Sequence, residues 1–475
     1  MKLDYRRVFF TGFAFFLICA FWQAYDNIIP KILTDKFGMS QAASGFIMAL
    51  DNILAVVLLP VFGAISDRHQ GRYGKRTPFI VVGTISAAVA LIALTVADNM
   101  QLANIKAGVE GVGIENSAER TAYAWSVTAS DPLPLIVFIV LLLLVLLSMS
   151  IFRSPAVALM PDVTPKPLRS KANAVINLMG SAGGIIVLVL GILFGTGKPE
   201  NAIMSYSLFF GVVAAIMIAA LVIFLLTVRE VKWSREADKI NSQLTNDEKT
   251  SESESAKDKS SPGASAPEKS SELSRGQLKS LIFILASVVL WYMGYNAVTS
   301  KYSVYAGDIL GLDYNLTLII AQAAAIAAYI PVGILSQRFG RKRMILAGVV
   351  MLGAAFGFAA FMREGSNIWV MNCLFALAGI GWATINVNSY PMVVELAGTG
   401  DVGKYTGFYY TASMAAQIVT PILSGLFLTY VGMTTLFPYA ALFVAAAFVT
   451  MLFVRHGDSK PAPKKSLLEH LDNDD

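Results

Sequence analysis

Three ionisable side chains, Asp26, Asp51 and Arg153, stand inside long apolar runs of the sequence. A charged group at bilayer depth costs at least about 2.5 to 3.5 kcal/mol, so one retained there is a candidate for function. Apolar surroundings favour the neutral form of a carboxyl group and a nearby guanidinium favours the charged form, so movement of either partner switches proton affinity. These three residues are therefore the candidate proton-coupling groups. On ideal helices at about 1.5 Å rise per residue, Asp26 stands roughly 15 Å above Arg153, too far for a direct pair, and Asp51 is nearer in depth to both. His69, His456 and His470 fall in loops or the C-terminal tail, which leaves carboxylates to carry proton chemistry within the membrane.

A second set of residues has the chemistry of a carbohydrate site. Trp22, Tyr25 and Asp26, with Gln23 among them, share a helical spacing with Tyr292, Tyr295, Asn296 and Thr299 further along the chain. Trp382 with Asn386 and Ser389, and Tyr410 with Ser413 and Gln417, repeat the mixture of aromatic and amide or hydroxyl groups. Aromatic rings stack on the C–H faces of sugars, and amides or carboxylates meet their hydroxyl edges. The candidate substrate-binding residues are Trp22, Gln23, Tyr25, Tyr292, Tyr295, Asn296, Trp382, Asn386 and Gln417. Plainer readings stand beside these. Asp26 reads equally as a hydrated helix-end residue bonded to Asn27, Arg153 as an ion-pair partner of Asp162, the aromatics as an interfacial belt and the amides as contacts between helices.

The elements that position these groups are membrane helices. The chain is 55% hydrophobic with a mean hydropathy of +0.61, and many apolar runs approach the roughly 20 residues that cross a bilayer. Twelve spans are expected, near residues 8 to 32, 42 to 66, 77 to 97, 133 to 160, 171 to 196, 203 to 228, 279 to 306, 314 to 337, 343 to 362, 367 to 394, 404 to 430 and 434 to 455. The first has no small-residue cleavage site and reads as a membrane helix, not a removable signal. Residues 67 to 76 hold four basic side chains and one acid, and residues 338 to 343 hold four basic side chains and no acid. The 98 to 131 loop has five acids against Lys106 and Arg120. The bias places the basic loops and both termini in the cytoplasm, and the net charge of +5 reports topology instead of a nucleic-acid partner. Cys19 and Cys373 lie within spans and set up no disulfide framework.

The chain contains an internal repeat. A shift of 270 residues lays Trp22 to Asn27 over Tyr292 to Ala297, and lays the basic run at 67 to 76 over that at 338 to 343. Asp26 then faces Asn296, the same shape without the charge, which suggests that the first half titrates while the second binds. Residues 229 to 279 contain ten basic and ten acidic residues, with nine serines between 251 and 274, and read as a solvated linker unable to fold. The expected organisation is a six-helix bundle over 1 to 228, a disordered cytoplasmic linker over 229 to 278, a second bundle over 279 to 455 and a tail over 456 to 475. The stripe Asn173, Asn177, Gly180, Ser181 and Gly184 reads as a close-packing face toward the other half. Lys301 and Asp308 read as interfacial residues, and the 98 to 131 loop as a cover for the outer entrance.

The run Gly63-x-x-x-Asp67-Arg68 followed by Gly71-Arg72 is similar to the loop between the second and third helices of the major facilitator superfamily. Its continuation through Tyr73, Gly74, Lys75, Arg76, Pro78 and Phe79 resembles the glycoside-pentoside-hexuronide cation symporters and the sucrose-transporter-like branch. Ser154 to Asp162, then Arg169 to Asn173, resembles the fourth-to-fifth-helix region of that branch. The resemblance implies an all-α membrane protein with two pseudo-symmetric six-helix halves that rock about a midplane site, acting as a monomer. It also implies a cytoplasmic gate, assigned here to Asp67, Arg68, Arg72, Asp162, Arg338 and Arg341. Melibiose-type members carry two cation-binding aspartates where this chain has Ala55 and Leu59, which argues for a proton over sodium as the coupling ion. A helix-four aspartate of plant sucrose transporters corresponds to Leu146.

These features together imply a secondary active transporter of the plasma membrane that takes up a glycoside or small oligosaccharide with a proton. A uniporter or drug-type exporter of the same fold, and a non-transporting sugar sensor that signals through the linker, are the alternatives. No nucleotide-binding loop and no Cys/His metal cluster occurs, so enzyme activity, a cofactor and a metal are not expected.

Overall fold

The computed structural model describes residues 3–107, 117–165, 168–257, 274–396 and 402–456. Lys166, residues 108–116 of the acidic loop, residues 258–273 of the linker and the tail beyond His456 lie outside them. Among the described residues, twelve helices are long and apolar enough to cross a membrane. In chain order the helices are α1 Tyr5–Lys36, α2 Gln41–Arg68, α3 Thr77–Ala107, α4 Ser117–Ser130, α5 Leu133–Val163, α6 Arg169–Phe194, α7 Ser207–Thr227, α8 Glu230–Lys257, α9 Arg275–Leu310, α10 Tyr314–Phe339, α11 Arg341–Ala359, α12 Ile368–Val394, α13 Val402–Tyr430 and α14 Leu436–Leu452. All but α4 and α8 are spans. Local chemistry sets several ends: the Ser40 hydroxyl accepts from Ala43 N to start α2, and Ser274 with Gln277 forms a capping box at the start of α9.

The buried apolar side chains form two large clusters. One joins α1, α3, α5 and α7 around Phe21, Phe138, Phe152 and Phe209. The other joins α9, α11, α12 and α14 around Trp291, Tyr302, Phe375 and Phe437. Each half thus has a core of its own, and the helices left at the interface are α2, α6, α10 and α13.

The halves are joined at the end away from the basic hairpins. There Gly45 of α2 lies against the Pro421 carbonyl of α13, and Gly425 of α13 lies against the Gln41 carbonyl, so closely that a Cβ would overlap either carbonyl. Ala42 N donates to Thr429 Oγ1 at 2.9 Å, Lys301 Nζ donates to Gln41 O at 3.0 Å, and the Thr196 and Tyr314 hydroxyls lie 3.1 Å apart. Arg120 of α4 bonds both Asp35 of α1, at 3.5 Å, and Asp308 of α9, at 3.3 Å. Toward the hairpins Val56, Val57 and Val61 of α2 and Ile330 and Ile334 of α10 are exposed. The space between the halves therefore opens on the basic face.

Several expectations need correction. The first span runs on to Lys36 and the third to Ala107, because their polar ends are buried and partnered: Lys36 Nζ meets Asp98 Oδ1 at 2.5 Å with both side chains fully buried. Lys301 is fully buried and Asp308 is held by Arg120, so neither is a free interfacial residue. On the α6 stripe Gly180 packs against Cys19 of its own half, and Gly184 lies against both Gln23 of its own half and Gln322 of α10. Asn173 and Asn177 are exposed. The 229 to 278 segment begins as a helix, α8, which buries Trp233 and Ala237 and anchors Glu230 on the first hairpin. Its apolar positions recur at helical spacing, which the serine-rich composition downstream obscures.

The close approach of α2 and α13 yields a prediction. Gly425→Leu should force these helices apart, so that a single cysteine replacing Thr429, in a protein with Cys19 and Cys373 changed to serine, reacts faster with a water-soluble thiol reagent. An unchanged rate would show that this contact does not hold the end closed.

Candidate functional site

Between the halves lies a cavity lined by Trp22 and Asp26 of α1, Asp51 and Asn52 of α2, Arg153 of α5, Asn296 and Thr299 of α9, and Gln417 of α13. Of the helices that deliver these groups, α1, α5 and α9 are fixed by the two apolar cores, while α2 and α13 bring Asp51, Asn52 and Gln417 from the interface. Asp26, Asp51 and Arg153 all reach the same space. Among the described residues Arg153 makes no ion pair within 4.0 Å, and its guanidinium carbon instead stands 5.1 Å from the centre of the Trp22 ring. Asp51 accepts from the backbone N and the side-chain amide of Asn52 at 2.6 and 2.7 Å. Asn27 bonds the Gln23 carbonyl, at 2.7 Å, so Asp26 is not held by its neighbour.

Two donors at the cavity, Trp22 Nε1 and Asn296 Nδ2, are buried with no hydrogen-bond partner. A buried polar group left unpaired is costly, and such donors are available to a substrate's oxygens. The opposite charges within the cavity remain apart and face the same opening, an arrangement suited to binding a proton and a polar solute together.

Other residues expected at this site have different places. Tyr25 is buried in the first core, stacked on Phe21 with centroids 5.9 Å apart, and does not line the cavity. Gln23 accepts from Gln322 Nε2 at 2.6 Å and so links the halves. Tyr295 stacks face to face on Trp382 at 3.6 Å, and Tyr292 meets the same indole edge-on at 5.1 Å. Asn386 Nδ2 donates to the Trp382 carbonyl at 3.2 Å. The three rings, with Asn386 beside them, make a block within the second half, apart from the cavity lining. Asn52 and Ser300 line the cavity and were not anticipated; the polar pair Asp51-Asn52 inside an apolar run was the available signal for the first.

The residues expected to form a cytoplasmic gate are arranged within each half. Arg76, buried, bonds Asp67, bonds Asp162 at 2.7 Å and donates to the Ser66 hydroxyl. This pairing leaves Asp162 committed to Arg76, so it is not the partner of Arg153. Arg68 and Arg72 are exposed, Arg338 lies 5.7 Å from the Phe339 ring centre, and Arg341 pairs with Glu395. The Glu230 carboxylate accepts from the backbone N of Lys75, Arg76 and Thr77 at 2.5, 2.8 and 2.8 Å, and from the Thr77 hydroxyl at 2.7 Å. Arg76 and Glu230 are thus the central groups of this hairpin. The residues 75 to 77 are the start of α3, where an acceptor for free N–H groups is needed. Among the described residues no group of three His, Cys, Asp or Glu side chains is placed to hold a metal ion.

The family model of the Major Facilitator Superfamily matches residues 11–328 and 314–471. The chain belongs to that superfamily. It is a membrane transporter and not an enzyme. A relative along almost its whole length is an uncharacterized MFS-type transporter of Methanocaldococcus jannaschii, 23% identical over 451 residues, covering 94% of this chain and 95% of the relative. A sucrose transport protein of Arabidopsis thaliana, SUC3, is 29% identical over 159 residues, which is 34% of this chain and 24% of the relative. Among solved structures, a bacterial homologue of the iron transporter ferroportin in an inward-facing state superposes with a TM-score of 0.65 at 14% identity, covering 95% of this chain and 99% of that one. That likeness carries the superfamily fold alone.

The hairpin yields a second prediction. Arg76→Gln leaves Asp67 and Asp162 without their cation and should cost about 2 kcal/mol, below the roughly 3 to 5 kcal/mol of a fully buried pair because Asp67 is largely exposed. Glu230→Ala uncaps the start of α3 at a cost of about 1 kcal/mol. Thermal unfolding of the purified protein should show both losses, the first larger; equal or absent shifts would contradict the arrangement.

Proposed function

We propose that this transporter takes up a glycoside or small oligosaccharide together with a proton, by alternating access, across the plasma membrane with its basic face and both termini in the cytoplasm. The observation that carries the reading is the single cavity that gathers Asp26, Asp51 and Arg153 with the partnerless donors of Trp22 and Asn296. An indole and amides facing one opening suit the mixed apolar and hydroxylated surface of a sugar. Two carboxylates against one guanidinium leave a negative charge that a proton neutralises, and a proton needs no dedicated coordination shell. The partial relationship to a sucrose transport protein is consistent with such a substrate. On this orientation the opening faces the cytoplasm, and uptake requires the opposite state, in which the α2–α13 contact parts and the hairpins approach.

In this reading Asp26 and Asp51 are the coupling carboxylates, and Arg153, held over Trp22, sets which of them is charged. Trp22, Asn296, Thr299 and Gln417 bind the solute. Tyr295 and Trp382 support the wall behind Asn296 and need not touch the sugar.

The test is internal pH in proteoliposomes on addition of a panel of mono- and disaccharides, for the native protein and for Asp26→Asn and Asp51→Asn. Sugar-dependent acidification is expected, lost in at least one variant that still exchanges labelled sugar. Exchange without acidification in the native protein would make it a uniporter, and the absence of both, in folded protein, would remove sugar uptake altogether.

A further inference from the structure

A second recess lies far from the central cavity, at the basic face where α7 leaves its apolar stretch and the chain turns into α8. It is walled by the first hairpin, the end of α7 and the first turns of α8. Five cations stand around it: Arg72 from the hairpin, Arg229 at the turn, and Lys232, Arg235 and Lys239 from α8. All five are exposed. The three on α8 are spaced i, i+3 and i+7, so one face of the helix carries them together.

The carboxylates at the recess do not balance this charge. Glu230 is buried and taken up by the three backbone N–H groups and the hydroxyl of Lys75 to Thr77. Glu236 bonds Arg7 at 2.5 Å, a contact that holds its carboxyl below the ordinary range, and reaches Lys232 only at 4.0 Å. Arg7 in turn lies 5.5 Å from the centre of the Trp233 ring, and Trp233 is buried, so α8 is seated with its cationic face outward.

The surroundings point to lipid over a free anion. Leu225 and Leu226 of α7 are 45% and 78% exposed and Tyr73 is 71% exposed, so apolar surface leads directly into the ring of cations. Basic clusters just beyond a membrane helix attract anionic headgroups, and the attraction falls off within a Debye length. A tyrosine at this level suits the boundary between acyl chains and headgroups.

We propose that the recess between the first hairpin and α8 binds an anionic phospholipid, its phosphate held by Arg72, Arg229 and the cationic face of α8 and its acyl chains running along Leu225 and Leu226. The bound lipid bridges the hairpin and α8, the two elements that Glu230 also joins. The site is independent of the substrate carried in the central cavity.

The experiment is thermal unfolding and native mass spectrometry of the purified full-length protein in detergent, with phosphatidylglycerol, phosphatidylcholine or inorganic phosphate added. Phosphatidylglycerol should raise the melting temperature beyond the rise given by phosphatidylcholine and should appear as a retained adduct. The variant Arg229→Gln/Lys232→Gln/Arg235→Gln should lose this increment, with apparent affinity for phosphatidylglycerol lower by about fivefold per removed cation, while the response to phosphatidylcholine persists. Arg363→Gln, at the opposite end of the second half, should behave as the native protein. Should the triple variant fold poorly, salt gives an independent reading in the native protein. Raising ionic strength from about 0.01 M to about 1 M shortens the screening length from about 30 Å to about 3 Å and should abolish the difference between the two lipids. Equal stabilisation by both lipids, or an increment retained in the triple variant, would overturn the proposal. Stabilisation by inorganic phosphate equal to that by phosphatidylglycerol would replace the lipid with a soluble anion.

Discussion

Among the contacts that join the two halves, one is ionic and is made by a guanidinium contributed by neither core. Arg120 comes from α4, in the connection between the third and fourth spans, and reaches Asp35 at the end of α1 and Asp308 at the end of α9. Both helices finish in a π-turn, Ile32–Lys36 and Ala306–Leu310, which carries the carboxylates. A buried cation is expensive, and its cost is offset only while acceptors from both halves surround it. Opening this end separates the two carboxylates and leaves Arg120 to one of them or to water. Such a contact would suit the joint that the proposed alternating access requires, since the charges exchange one polar environment for another when water enters.

The basic hairpin solves a different problem. Helices α2 and α3 must turn sharply and present the start of α3 at the membrane surface, where its free N–H groups need acceptors. Glu230 supplies one from 153 to 155 residues away in sequence, and Arg76 gathers the carboxylates of α2 and α5. The first half is thereby fastened at its basic end into a unit, so motion between the halves need not distort its interior. Among the described residues of the second half, Arg341 and Glu395 form a pair of this type, and the 270-residue counterpart of Asp67 is Gln337, which has no charge to contribute. The repeat has kept its helices and diverged in its fastenings.

Much of this was legible in the sequence, for a physical reason. Bilayer crossing imposes length and hydropathy on each helix, so all twelve spans could be counted from composition alone, and the rare charges at Asp26, Asp51 and Arg153 stood out against apolar neighbours. Tertiary polar contacts left weaker marks. Lys31 and Lys301 fall on the same 270-residue offset as the other repeat landmarks, and each donates to a backbone carbonyl, of Thr196 at 2.8 Å and of Gln41 at 3.0 Å. Near the ends of apolar runs, a lysine directed inward has the same sequence pattern as one directed to water. Tyr25 and Tyr295 likewise occupy equivalent positions with equivalent neighbours, yet one is sealed in a core and the other stacks on an indole. A helical stripe fixes which residues share a face; which helix covers that face is decided by the packing of the whole bundle.

The central cavity illustrates the same limit and what overcomes it. On isolated ideal helices Asp26 and Arg153 stand too far apart in depth to be considered together, yet both line one space because the helices that carry them converge around it. The separation of the charges matters more than their proximity. A direct ion pair between Arg153 and either carboxylate would satisfy both groups and leave little reason for a proton to bind or leave. With the guanidinium against the Trp22 ring, the carboxylates compete for its field across the cavity, and a solute that touches the indole also disturbs the cation lying over it. On the proposed reading the ring is a mechanical link: a sugar stacked on Trp22 would shift the cation whose field acts on Asp26 and Asp51. Coupling, on that same reading, is a consequence of where one arginine rests, and it would require no direct bond between the sugar and the proton-carrying group.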